Sequence, residues 1–150
     1  MSHDYAKIYS SVDAITENFI GLQKKILNDF DYNAIYIRFP GGASNTISKK
    51  YCDGVMTAAT SKVEQEGFTY YDWNVDVDDA GSARTPSEIY NNFVDGILPG
   101  VENIVLMHDG EGHMPTAKAL QEIINYAKEN GYVFTAISEN TTPAKHSVNN

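Results

Sequence analysis

The chain has 150 residues, of which 42% are hydrophobic and 21% charged, a balance typical of one globular domain with a real core. Its formal net charge of −9 argues against nucleic acid or an anionic membrane surface as a partner. The sequence lacks an apolar run of about 18 residues, so it predicts no membrane segment. Residues 1–5 do not resemble a signal peptide, and the localisation stays open.

Helical and strand-like segments alternate along the chain. Ser10 and Ser11 can cap a helix with an apolar face, and Thr85 with Glu88 has the form of a capping box. Gly67 and Gly131 are placed to end two further helices. The predicted order is a helix from Val12, a strand at 33–38, a helix at 46–66, a strand at 69–75, a helix from Pro86, a strand at 103–107, a helix at 115–130 and a strand at 132–137.

This alternation predicts an α/β fold of about four βα units with parallel strands. A complete (β/α) barrel typically needs about 250 residues, so the chain is either a small open sheet or part of a barrel. No linker or internal repeat interrupts it, and we expect 1–150 to form a single domain.

Polar side chains collect where the predicted strands end, which is where parallel α/β folds place their sites. Arg38 ends the first strand, and His3 precedes the first helix. The second and third strands are followed by Asp76, Asp78, Asp79, His108 and Asp109. This set is consistent with a metal site or an acid–base site. Solvated loops, salt bridges and a structural histidine are the competing interpretations. His113 and His146 are interpreted as surface residues.

The segment 39–45, FPGGASN, permits three interpretations: a tight turn, a phosphate nest or the wall of an active site. Glycine amides before a helix start could face an anion. No lysine follows the glycines, and neither Walker spacing nor G-x-G-x-x-G is present. A small phosphate-binding α/β module stays open as an alternative.

Three segments, in order, resemble motifs of the polysaccharide deacetylases, the NodB-homology enzymes of carbohydrate esterase family four. They are 38–42 (RFPGG), 73–79 (WNVDVDD) and 104–109 (IVLMHD), and 116–134 resembles the family's final helix and strand. The resemblance implies a distorted (β/α) barrel, of which this chain would be a part. It also implies a metal-dependent hydrolase that removes N-acetyl groups from N-acetylglucosamine in peptidoglycan or a chitin-like polymer, in a family usually extracytoplasmic or cell-wall associated.

The resemblance implies catalytic roles for three residues. His108 would be the general acid that protonates the leaving amine. Asp79 would orient and charge that histidine, with Asp76 as the competing candidate. Arg38 would brace a catalytic aspartate.

Binding roles follow from the same resemblance. The Gly41 amide would donate to the oxyanion, and Leu106 would line the pocket for the acetyl methyl group. Trp73 would supply a pocket wall that the family often builds with a tryptophan at the position of Ala80. His3 resembles the second histidine of an H-x-x-x-H motif, which would hold zinc or cobalt.

The opening motif of the family, with its adjacent catalytic and metal aspartates, has no counterpart here, and neither has the first metal histidine. The resemblance therefore makes 1–150 the C-terminal part of a deacetylase domain, with the metal weakly held or absent. A partial barrel exposes a strand edge, so we expect self-association or pairing with an N-terminal half-domain. A non-catalytic carbohydrate-binding remnant is the alternative function.

We expect residues 1–150 alone to show little or no deacetylase activity, because catalytic zinc sites usually offer three protein ligands. Acetate release from an acetylated chitooligosaccharide, with and without a chelator, measures this. Deacetylation by the purified chain that the chelator abolishes would contradict the expectation.

Overall fold

The computed structural model describes residues 3–150, which fall into two compact units. The first unit runs to Asp72 and includes Pro143–Asn150; the second is Trp73–Thr142. Each unit pairs two short parallel strands and packs helices beside them. The α/β character with parallel strands is confirmed, whereas a single domain over 1–150 stays a prediction.

The first unit contains three α-helices and one strand pair. Its elements are α1 (Tyr5–Ile8), α2 (Val12–Phe30), β1 (Tyr36–Ile37), a 3-10 helix (Ile47–Lys50), α3 (Val55–Gln65) and β2 (Thr69–Tyr70). Helices α2 and α3 pack on each other, and Phe19 meets Phe39 edge-on in the core between α2 and the residues after β1. The predicted helix start is confirmed, because the Ser11 side chain accepts a hydrogen bond from Ala14 N–H.

The predicted helix at 46–66 is interrupted. Gly54 has a φ of +75° at the N-cap of α3, a left-handed conformation through which an α-helix cannot continue. The side-chain oxygen of Asn150 accepts the Gly54 N–H at 2.8 Å, and Asn150 also bonds Thr57. Two shorter helices therefore replace the single predicted one.

The second unit contains β3 (Val75–Asp76), α4 (Pro86–Gly96), β4 (Val105–Leu106) and α5 (Met114–Glu129). β3 and β4 pair in parallel, with Asp76 opposite Leu106. Thr85 and Glu88 form the predicted capping box at the start of α4. Helices α4 and α5 pack together and bury Val77, Ile89, Phe93, Ala119, Ile123 and Ala127.

Two strand predictions are wrong. The segment 69–75 forms the separate strands β2 and β3, because residues 71–74 leave the extended ladder. The segment 132–137 forms no strand; Val133 is 83% exposed and Phe134 55%. A strand needs a hydrogen-bonded neighbour, and no described strand pairs with this segment. The last of the four predicted strands therefore does not form, and the described strands close no barrel.

Within residues 3–150, no helix combines the length and apolarity that crossing a membrane requires.

A buried aspartate ties the first unit together where β2 ends. The Asp72 side chain is fully buried, and its two oxygens accept the N–H groups of Ala43 and His146, each at 2.8 Å. Its own N–H donates to the Ala144 carbonyl at 2.7 Å. Asp72 thus holds the 39–45 loop and the 143–150 segment beside the end of β2.

We expect Asp72→Ala to lower the free energy of unfolding by about 2–5 kcal/mol, because two buried N–H donors would each lose an acceptor. Urea unfolding followed by circular dichroism measures this. Asp53→Ala is the matched control, since that side chain is 80% exposed and only pairs with Lys49. Equal effects of the two substitutions would contradict the role of Asp72.

Candidate active site

A tight turn follows β3 and leads to Asp79, whose side chain is buried within the second unit. Asp76 Oδ1 accepts the Asp78 N–H at 2.8 Å, and Asp78 itself has a φ of +56°. The Asp78 carboxylate then accepts hydrogen bonds from Ser82. A side chain at Gly81 would collide with this carboxylate, since its Cβ would lie 1.7 Å from Oδ1. The turn therefore needs glycine there and leaves Asp79 buried.

Asp79 is the acceptor on which this site converges. Its Oδ1 lies 2.8 Å from His108 Nδ1, and its Oδ2 accepts the His108 N–H at 2.8 Å. Thr116 in the first turn of α5 donates its hydroxyl to Oδ2, also at 2.8 Å. The Asp79 side chain is 1% exposed, whereas that of His108 is 38% exposed. One carboxylate therefore holds the residue after β4 and the start of α5.

These contacts fix the charge of Asp79 and the tautomer of His108. Burial by itself raises the pKa of the Asp79 carboxyl, but the hydrogen bonds from His108 and Thr116 outweigh it, and the pKa lies below its usual value. An ionised carboxylate only accepts hydrogen bonds, so His108 Nδ1 carries the proton. The Nε2 atom has no hydrogen-bond partner within residues 3–150 and is available for proton transfer.

Of the two candidate aspartates, Asp79 is the one that contacts His108. Asp76 is exposed and uses its Oδ1 in the turn. Leu106 lies on β4, two residues before His108, and is half-buried. Trp73 precedes β3 and is half-buried as well. Their substrate-binding roles stay predictions.

His113 is the residue that the sequence analysis missed. The interpretation of His113 as a surface residue is wrong: its side chain is 22% exposed, and its Nδ1 lies 3.7 Å from Asp79 Oδ2. Its ring stacks on that of His108 with centroids 5.0 Å apart and an interplanar angle of 26°. The available signal was its position five residues after His108. His146 is also half-buried, with Nδ1 3.1 Å from Ser44 Oγ.

A cavity of about 330 Å³ adjoins this cluster. The residues that line it include Asp79, His113, Thr116, Arg84 and Ile89. Asp79 and His113 therefore line a cleft of the size that small ligands and sugar substituents occupy, whereas His108 is not among its lining residues.

Three predicted site residues belong to the first unit and are described within it. Arg38 follows β1 and donates from Nε to the Tyr71 carbonyl and from Nη2 to the Asp72 carbonyl, each at 3.1 Å. Burial lowers the pKa of its guanidinium, and the charge of Asp72 opposes this shift. His3 is exposed before α1. The predicted brace and metal roles of Arg38 and His3 stay predictions.

The 39–45 loop is a turn whose amides are largely used within the first unit. Gly41 and Gly42 have φ values of +77° and +78°, and a Cβ at Gly41 would lie 2.6 Å from Tyr5 Oη. Gly42 N–H donates to the Phe39 carbonyl at 2.8 Å, and the next amide donates to Asp72. A protein carboxylate thus occupies the place of an anion, which disfavours the phosphate nest. The oxyanion role of the Gly41 amide stays a prediction.

Asp79, His108 and His113 form a group that could hold a metal, since one ligand atom from each lies within 4.8 Å of the others. One carboxylate and two imidazoles suit zinc or cobalt in kind. Their present spacing is that of a hydrogen-bonded pair, because 2.8 Å is shorter than the roughly 3.3–3.5 Å between ligand atoms of a tetrahedral zinc. The arrangement is therefore that of a proton-transfer pair, and binding of an ion would require His108 and Asp79 to move apart.

The lowered pKa of Asp79 predicts the pH dependence of stability. Because the folded-state value lies below the usual 3.8, the ionised carboxylate stabilises the fold above that pH, and this contribution is lost as the pH falls through the folded-state pKa. We expect Asp79→Asn to lower the free energy of unfolding at pH 7 by about 1–3 kcal/mol, and the difference to shrink below pH 3.8.

Urea unfolding followed by the fluorescence of Trp73, the chain's single tryptophan, measures this in the second unit. A difference between wild type and variant that is unchanged between pH 7 and pH 3 would contradict the ionised role of Asp79.

Comparisons with known structures identify the family. The catalytic domain of a peptidoglycan N-acetylglucosamine deacetylase from Eubacterium rectale ATCC 33656 is 34% identical, with a TM-score of 0.92 over 99% of this chain and 67% of that one. A polysaccharide deacetylase from Bacillus cereus is 24% identical, with a TM-score of 0.76 over 97% of this chain and 67% of that one. A CE4 esterase from Streptococcus mutans is 24% identical, with a TM-score of 0.71 over 89% and 59%.

The two structures at 24% identity support the fold alone, and the chain spans between 59% and 67% of the lengths of these three proteins. No protein-family model and no curated protein matches the sequence. The likeness to the Eubacterium rectale domain is the one that reaches beyond the fold, and it agrees with the three ordered motifs around Arg38, Asp79 and His108. The chain belongs to the polysaccharide deacetylases of carbohydrate esterase family 4.

Proposed function

We propose that the protein takes part in removing N-acetyl groups from a polysaccharide that contains N-acetylglucosamine, such as peptidoglycan or a chitin-like polymer. The observation that carries this proposal is the buried Asp79 carboxylate bonded to the Nδ1 of a partly exposed His108. The Eubacterium rectale neighbour is named for the same reaction on peptidoglycan, which supports that polymer as the substrate class.

His108 is the general acid of this proposal. An amine leaves a tetrahedral intermediate readily only when its nitrogen is protonated, so the reaction needs a positioned proton donor. With Nδ1–H directed at Asp79, the second proton of the imidazolium sits on Nε2, which the described residues leave unbonded. The negative charge of Asp79 stabilises the imidazolium before it gives up that proton.

The family generally depends on a divalent metal, which when bound polarises the acetyl carbonyl and positions a water. We propose His3 as a ligand of that metal, Gly41 as an oxyanion donor, and Leu106 with Trp73 as walls of the acetyl pocket. Arg38 is a positioning residue in this scheme, since two main-chain carbonyls already hold its guanidinium. Acetate release in the presence of a chelator tests the metal dependence.

The alternative of a non-catalytic carbohydrate-binding protein uses the same cleft and predicts oligosaccharide binding without acetate release. A buried, ionised carboxylate behind a histidine favours catalysis, because sugar binding alone does not require a charged proton-transfer pair.

We expect His108→Asn to lower kcat for acetate release by about 10²–10⁴-fold with a smaller effect on KM, since general acid catalysis contributes factors of that size. The assay uses the longest natural open reading frame that contains residues 1–150, with acetylated chitooligosaccharide or peptidoglycan as substrate. His146→Asn is the matched control, a half-buried histidine of the first unit. Unchanged kcat in His108→Asn would overturn the role, and oligosaccharide binding without turnover would favour the alternative.

A further inference from the structure

We propose that Asp79, His108 and His113, none of which the motif resemblance assigns to the family's catalytic metal, bind a zinc ion and that this ion inhibits the protein. The binding of the ion stands on the geometry of the three side chains. The inhibition rests in addition on the proposed function of His108 as a proton donor.

His113 lies beside Asp79 and His108 in a position that suits a metal ligand. Neither nitrogen of its ring has a hydrogen-bond partner within residues 3–150, yet the side chain is 22% exposed and lies 3.7 Å from the Asp79 carboxylate. An imidazole that is mostly removed from water would normally bond a neighbour through its N–H. Stacking on His108 instead places the Nδ1 atoms of both imidazoles beside one carboxylate.

Asp79 can contribute to such a site while keeping its structural contacts. A carboxylate has about four lone-pair positions, and the hydrogen bonds to Asp79 use three of them. The hydrogen bonds from the His108 N–H and the Thr116 hydroxyl converge on Oδ2, so Oδ1 retains a position for a cation. One ligand atom from each of the three residues already lies within 4.8 Å of the others.

A bound zinc would disable the proton donor directly. Zinc requires an unprotonated nitrogen, so an ion held by His108 Nδ1 displaces the proton that Nδ1 donates to Asp79, and the ring can no longer become the imidazolium that gives up a proton from Nε2. The ion would also replace the hydrogen bond between His108 and Asp79, because the separation of 2.8 Å is shorter than that of two ligands on one ion. The Asp79 carboxylate, the two imidazoles and one water would together form a four-coordinate site of the kind that zinc prefers.

Isothermal titration of residues 1–150 with zinc chloride tests the site without any measurement of activity. We expect one zinc ion per chain to depend on His113, with His113→Gln and His113→Phe each weakening its Kd by about tenfold or more, because even changes outside the direct ligands cost 10–100-fold. The phenylalanine variant keeps an aromatic ring for stacking. His146→Gln is the matched control and should leave the Kd unchanged.

Imidazole proton signals of the wild-type chain supply a second measurement that does not depend on the folding of any variant. Zinc should shift or broaden the His108 and His113 signals together at substoichiometric amounts. The proposal is overturned if these two signals do not respond, if zinc does not bind below millimolar concentration, or if His146→Gln weakens binding as much as the His113 variants do.

Acetate release by the longest natural open reading frame, measured at zinc concentrations above the Kd, separates the binding of zinc from its effect on catalysis. We expect inhibition that follows occupancy of the site in the wild type and is weakened in His113→Phe. Binding without inhibition would retain the site and remove His108 as the proton donor. No binding together with normal activity would remove the site and retain the proposed function.

Discussion

The second unit depends on one constraint, which is that a buried carboxylate must be satisfied. Asp79 is almost fully buried, and the free energy of taking its charge out of water is offset only if strong donors surround it. The His108 N–H, the His108 ring and the Thr116 hydroxyl supply those donors. Satisfying Asp79 thereby fixes the end of β4 and the first turn of α5 beside the turn that follows β3.

The first unit uses the same solution with a different partner set. Asp72, just beyond β2, accepts the main-chain N–H groups of Ala43 and His146, and this holds a glycine-rich loop and a distant segment of the chain in place. Asp72 is fully buried and bonds only main-chain donors with its carboxylate, so its role is structural. Asp79 differs because one of its donors is a titratable ring with an accessible nitrogen, and this difference gives the second aspartate chemistry as well as structure.

Features encoded by neighbouring residues were predictable, and those that depend on distant partners were not. The start of α2 at Ser11 and the capping box of Thr85 with Glu88 were predicted correctly, because caps are contacts over three residues. The strand at 132–137 was not, because a strand exists only where another strand bonds it. The pairing of Asp79 with His108 came from motif resemblance, while the position of His113 depends on a loop conformation that no local pattern specifies.

The geometry that supports His108 as the proposed acid also supports it as the proposed zinc ligand. A carboxylate that accepts from Nδ1 leaves Nε2 outward, and the nearby His113 ring adds a second lone pair. Protons and zinc therefore compete for the same nitrogen atoms. Family membership supports the proposed reaction class, and the hydrogen bonds of Asp79 support His108 as the proposed proton donor.

The most direct test of the central claim is the tautomer of His108, measured from the nitrogen-15 shifts and long-range proton couplings of its ring. The account predicts, for the neutral ring, a proton on Nδ1 directed at Asp79 and an unprotonated Nε2, with this preference lost in Asp79→Asn. A proton on Nε2 in the wild-type chain, or a tautomer that does not respond to the substitution, would contradict the account.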